Sequence, residues 1–149
     1  NKLLERRGHD HTIVVYMYER IIQDLCAAGG GGNLDRLRQL VDVYRGFLSG
    51  TDEEGHAAIH NAAIAGNADA VRILAEGGAN LLQRTLDNDK NTALHEAAKH
   101  GHLEVVACLL DFKVPTFVRN ALGRTPLEEA EAVGHDAVAE MLRNRAAGK

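Results

Sequence analysis

Apolar residues recur along this chain at helical rather than strand spacing. From Ile13 to Leu25, IVVYMYERIIQDL carries a stripe through Val14, Met17, Tyr18, Ile21, Ile22 and Leu25, which predicts an amphipathic helix of about four turns. A second stripe follows Asn33 through Leu37, Leu40, Val41, Tyr44 and Phe47, and a third runs through Val105, Val106, Leu109 and Leu110. Short alanine-rich segments precede the later stripes and end at Gly66, Gly101 and Gly134. The pattern predicts an all-α chain of short helices in pairs.

The pairs repeat. AAIHNAAIAGNADAVRIL (57–74), TALHEAAKHGHLEVVACL (92–109) and TPLEEAEAVGHDAVAEML (125–142) align, with starts 35 and 33 residues apart; GNLDRLRQL (32–40) matches GNADAVRIL (66–74) at a spacing of 34. Each copy reads as helix, tight turn, helix, extended loop. Thr92 and Thr125 stand at N-cap positions, and in the last copy Pro126 and Glu128 complete a capping box with proline at the first helical position. Ala62 with Ala63, Ala97 with Ala98, and Ala130 with Ala132 let first helices of neighbouring copies approach closely. No copy buries its apolar stripe alone, so the copies must stack.

The stretch TALHEAAKHGHLEVVACLL, with Gly-Ala-Asn at Gly78 to Asn80, resembles the ankyrin repeat, and the likeness extends over about residues 25–142. It implies one solenoid domain over 1–149, with an N-terminal capping helix pair (10–50), repeats at 51–86 and 87–119, and a C-terminal capping repeat at 120–149. It also implies that His60 and His95 bond locally to hold neighbouring turns, and it places His102 at the opening of a second helix. Repeat arrays need polar end units, and Arg143, Asn144, Arg145 and Lys149 supply such a finish. Two lysines depart from the pattern: Lys90 replaces the loop glycine seen as Gly55 and Gly123, and Lys113 replaces the helix-ending glycine seen as Gly78. At φ > 0 each would cost about 1 kcal/mol, which predicts rearranged loops at both. The connection after Gly78 is two residues longer than its counterpart, so Leu81, Leu82 and Leu86 have no assured core position.

Candidate chemistry is sparse. His95, Glu96 and His100 evoke a zinc helix, but five residues at about 100° each separate the two rings by about 140° around the helix, and Gly101 precedes His102. His56 and His60 have metal-like spacing, but His56 lies on a loop; the His9 to His11 segment reads as a frayed terminus. The run Gly29 to Gly32 follows a helix and lacks the lysine of a phosphate loop, so it reads as a flexible inter-helix turn. No nucleophile and base share a recognisable pattern, which predicts no enzyme, no cofactor and no metal.

Composition adds limits. The chain of 149 residues carries a net charge of −4 and shows no basic stripe, which argues against nucleic-acid binding. It contains no apolar run of about 18 residues, no signal peptide and no glycosylation sequon, so a cytoplasmic or nuclear monomer away from membranes is expected. Cys26 and Cys108 lie in apolar helical stretches and read as buried free thiols. The first residue is Asn, which suggests a trimmed or excised piece.

The resemblance implies a rigid concave surface that binds another protein through loop tips and first helices. By register the contact positions are Thr51, Glu53, Glu54, His56, Ile64 and Ala65; Leu86, Asn88, Asp89, Asn91, Lys99 and His100; and Arg119, Ala121, Leu122, Arg124, Ala132 and Val133. The tip TDEEGH is acidic, LDNDKN is mixed and RNALGR is basic, which fits either a complementary partner or merely solubilised loops. An adaptor or scaffold is the expected role; the alternative is a regulatory ankyrin domain excised from a larger multidomain protein or enzyme.

Overall fold

Helices begin where the sequence places caps. Thr92 Oγ1 accepts from the His95 amide and Thr125 Oγ1 from the Glu128 amide, while Asn33 and Asn67 cap second helices through Arg36 N and Ala70 N. The computed structural model describes residues 2–146, with side chains from residue 13 onward. It contains α1 (Lys2–Gly31), α2 (Leu34–Val43), α3 (Ala58–Ala65), α4 (Ala68–Glu76), α5 (Ala93–His100), α6 (Leu103–Asp111), α7 (Pro126–Val133) and α8 (Asp136–Ala146), with a 3-10 turn at Arg45–Phe47. Among the described residues there is no strand, only an isolated bridge between Thr51 and Ala57. No described helix is long and apolar enough to cross a membrane.

The elements form two layers. First helices α1, α3, α5 and α7 pack one on the next, as do second helices α2, α4, α6 and α8, so the chain is a stack of four helix pairs. The core lies between the layers: Leu37 and Leu40, Val71 and Leu74, Val106 and Leu109, Ala139 and Leu142 recur at matching positions and are all buried. Each large aliphatic side chain so buried contributes about 1.5–3 kcal/mol. Ala62, Ala63, Ala97 and Ala98 are wholly buried between first helices. Ala132 is exposed, contrary to the sequence reading. The true register pairs Ala130 with Glu131, which meets Arg143, because among the described residues no further first helix stacks on α7 to exclude a charge.

The glycine run corrects a second expectation. Gly29 to Gly31 are helical, and α1 ends only at Gly32, with φ of 81°. A β-carbon on Gly29 would lie 2.7 Å from the Ala58 carbonyl oxygen, so glycine serves close packing of α1 on α3 rather than flexibility. The predicted α1 stripe divides: Ile22 and Leu25 are buried, whereas Val14, Met17 and Tyr18 are exposed. Its partner α2 runs 10 residues against 9 in α4 and α6, then tightens into the 3-10 turn, where Phe47 meets Tyr18 and Tyr44 edge-on. The side chains of His9 to His11 lie outside the described residues.

Lys90 and Lys113 keep the left-handed backbone, at φ of 52° and 61°, so the rearranged loops expected there do not occur. Bonds on either side fix each turn. Lys90 donates through its amide to Asp87 Oδ1 and through Nζ to the Leu86 carbonyl; the amides of Lys113 and Val114 bond back to Leu110 and Leu109. Leu82 and Leu86 are exposed, and Leu81 packs at the edge of the core.

The helix-ending glycines distinguish interior from end. Gly66, Gly101 and Gly134 all cap first helices in the left-handed region. A β-carbon would lie 2.6 Å from the His102 ring at Gly66 and 2.7 Å from the His135 ring at Gly101, but would meet nothing within 4 Å at Gly134. Gly101→Ala is therefore expected to cost about 2 kcal/mol in urea unfolding and Gly134→Ala about 1. Equal costs would show that the stacked histidine plays no part.

Candidate partner-binding face

Each loop tip is built on a polar residue at the head of its turn. Asp52 Oδ1 accepts from the amides of Glu54 and His56, Asp87 Oδ1 from those of Asp89 and Lys90, and Asn120 Oδ1 from those of Leu122 and Arg124. Tips are also joined to one another. The Leu86 amide donates to the Gly55 carbonyl at 2.9 Å and the Ala121 amide to the Asp89 carbonyl at 2.8 Å. Burial alone would raise Asp52 and Asp87, but the donors on each hold its carboxyl below the usual range: His56 N, Asn61 Nδ2 and Glu54 N on Asp52; the Thr85 hydroxyl, the His56 ring and two amides on Asp87.

A buried polar ladder runs beneath the tips. Asn61 donates to Asp52 Oδ2, Asn91 to Glu96 Oε1, and Asn120 to both Glu129 Oε1 and Asn91 Oδ1. Two histidines fasten adjacent copies. His60 Nε2–H donates to the Gln83 carbonyl at 2.8 Å and His95 Nε2–H to the Arg124 carbonyl at 2.9 Å, while their Nδ1 atoms accept from the amides of Ala57 and Thr92. Both ring nitrogens of each are thus spent, which removes the His56/His60 and His95/His100 pairs as chelates. Burial holds both rings below the ordinary histidine pKa, so they stay neutral. His102 does more than open a helix, since its Nε2 reaches back to the Ile64 carbonyl at 2.8 Å. Burial pushes the Cys26 thiol up to about 12 and also raises Cys108, and both are free and buried.

The predicted contact positions separate by burial. Glu53, Glu54, Ala65, Leu86, Asn88, His100, Arg119, Ala121, Leu122, Arg124, Ala132 and Val133 are exposed, and Thr51, His56, Ile64, Asp89 and Lys99 are half-buried. Asn91 is buried, with its amide group engaged by Glu96 and Asn120, so it serves the scaffold and cannot meet a partner. Leu86 and Leu122 leave 64% and 61% of their surface in solvent. Arg119 is partly spent on Glu128 and the Gly123 carbonyl, and Lys99 on Asp89.

Beside the first tip lies an open groove that the sequence did not disclose, with Tyr18, Glu19, Ile22, Asp52, Glu53 and Leu86 in its lining. The turn-heading residues Asp52, Asp87 and Asn120 were also missed. Their signal was present, since a short polar side chain occupies the same register in all three copies.

A family profile described as ankyrin repeats (3 copies) matches residues 24–115 and 79–148. The chain belongs to the ankyrin-repeat family. Ankyrin repeats generally mediate protein–protein interaction. Among relatives, the tyrosine-protein kinase Shark of Drosophila melanogaster is 38% identical over 65% of this chain and 10% of its own length. The liver isoform of mitochondrial glutaminase from Rattus norvegicus is 37% identical over 95% of this chain and 23% of its own length. A putative ankyrin repeat protein of Rickettsia bellii is 33% identical over 83% of this chain and 68% of its own length. This ankyrin-repeat chain therefore spans less than a quarter of the kinase and the glutaminase, whose similarity to it is confined to that share.

Proposed function

We propose that this chain is an adaptor-type binding module whose partner docks across the loop tips and the groove beside α1. The observation that carries this reading is the groove itself, whose lining brings the apolar Tyr18, Ile22 and Leu86 together with the acidic Glu19, Asp52 and Glu53. Such a surface suits a segment with an apolar anchor flanked by Lys or Arg. The scaffold is prepared beforehand: turn-head side chains and tip-to-tip amides fix the backbone, so little entropy is lost on docking. Arg124 and Arg119 at the far tip would face acidic groups on the same partner.

The test is affinity capture with mass spectrometry, repeated with Leu86→Ala, followed by kinetics with the partner recovered. Glu53→Lys combined with Glu54→Lys is expected to slow association about tenfold in low salt, with the difference shrinking as salt is added. An unchanged on-rate, with Leu86→Ala binding as the parent does, would reject the face.

A second reading is favoured by the kinase and glutaminase relatives, of which the matched region is a minor part. In it the module belongs to a larger chain and docks on an adjoining domain. The full-length gene separates the two: an adjoining catalytic domain whose activity changes with the tip variants supports the second.

A further inference from the structure

Three potential metal ligands meet from three separate elements: His56 on the first tip, Asp87 on the second, and Glu96 on α5. One donor atom from each lies within 4.8 Å of the others, and His56 Nε2 is already 3.2 Å from Asp87 Oδ2. We propose that this set binds a divalent transition-metal ion, zinc foremost, with His100 or water completing the sphere.

The carboxylates are oriented for this. Asp87 Oδ1 is held by the Thr85 hydroxyl at 2.6 Å and the amides of Asp89 and Lys90, which leaves Oδ2 facing His56. Glu96 Oε1 is held by Asn91 Nδ2 at 3.1 Å. Its Oε2 accepts no hydrogen bond from the protein among the described residues, lies 3.6 Å from His100 Nε2 and is still reached by solvent, so it is open to a ligand. A carboxylate stands near the other ring nitrogen: His56 Nδ1 lies 3.7 Å from Glu54 Oε2, beyond hydrogen-bond distance but close enough for a glutamate rotamer to orient a ligating histidine.

Charge points the same way. Glu129 holds the position of Glu96 in the next copy, where Asn120 Nδ2 donates to it at 2.7 Å and the Arg124 guanidinium lies 4.0 Å away as a counter-charge. At Arg124's register the middle copy has the neutral Asn91. Among the described residues no lysine or arginine side chain pairs with Asp87 or Glu96, so two carboxylates converge without a fixed cation. One nitrogen and two oxygens of this kind suit zinc and its first-row neighbours; calcium and magnesium prefer more oxygens. Zinc bonds of about 2.1 Å set tetrahedral ligands about 3.4 Å apart, so the widest pair must close by at most about 1.4 Å, within reach of a glutamate rotamer.

The test uses tag-free protein stripped with EDTA and titrated with zinc chloride in a calorimeter, with cobalt(II) absorption as a second readout. One equivalent is expected to bind with micromolar affinity, to raise the melting temperature and to give cobalt d–d bands. His56→Ala and Glu96→Gln should each weaken binding at least about tenfold with the circular dichroism spectrum unchanged. The double variant His9→Ala/His11→Ala should bind as the parent does. Absent heat and absent cobalt bands would overturn the proposal, as would binding that survives both ligand variants or is lost in the His9/His11 control.

Discussion

Replacing His95 with alanine is expected to lower the unfolding free energy by about 3–5 kcal/mol, the largest single-residue loss among the fasteners. Three effects combine. The ring is wholly buried, so its removal leaves a cavity between α5 and the following tip. The Arg124 carbonyl loses one of its two donors, keeping the Asn120 amide, and the Thr92 amide loses its acceptor. The helix start loosens, because Nδ1 also meets Thr92 Oγ1 at 2.8 Å. The last copy supplies the comparison. Glu128 occupies the same register but is exposed, bonding only locally to Thr125 and Arg119, and meets no later tip among the described residues. Glu128→Ala should cost under about 1 kcal/mol. Urea midpoints with unchanged slope would measure both. If His95→Ala costs less than Glu128→Ala, the fastener role is wrong.

The same two positions show what the sequence disclosed. The period, the caps at Thr92 and Thr125 and the helix-ending glycines rest on local rules, and a single chain displays those completely. Long-range consequences were harder to read. Gly29 appeared as a turn residue because its purpose, contact with the Ala58 carbonyl, lies in another helix. Lys90 and Lys113 appeared to require new loops because local strain was visible while the bonds that outweigh it were not. The candidate face divides in the same manner. Exposed tip positions such as Glu53, Leu86 and Leu122 follow from register alone. The burial of Asn91 depends on Asn120 in the next copy, and the groove at Tyr18 depends on α1 crossing the first tip.

Acid is expected to unfold the chain in a window set by the two fasteners. Each folds with a pKa below the ordinary 6.5, first because burial penalises the charged ring. Protonation would also set an N–H at Nδ1 against the amide it now accepts from. Below pH 6.5 the unfolded chain takes up protons at both rings and the folded chain does not. Stability is therefore full above pH 6.5 and falls as the pH drops toward the folded values. The slope is at most about 1.4 kcal/mol per pH unit for each ring, so the pair can remove up to about 4 kcal/mol between pH 7 and pH 5. Asp52 and Asp87 act elsewhere: with folded pKa values below 3.8, their contribution persists above 3.8 and is lost only as the pH falls further. Urea titrations at half-unit steps in EDTA buffer would separate the two windows. In His95→Gln, from its lower starting stability, the slope between pH 6.5 and 5 should be about half that of the parent, since one titrating ring remains. A parent whose stability stays flat from pH 7 to 5 would mean that the rings accept protons in place, and that the hydrogen bonds to Gln83 and Arg124 survive on charged histidines.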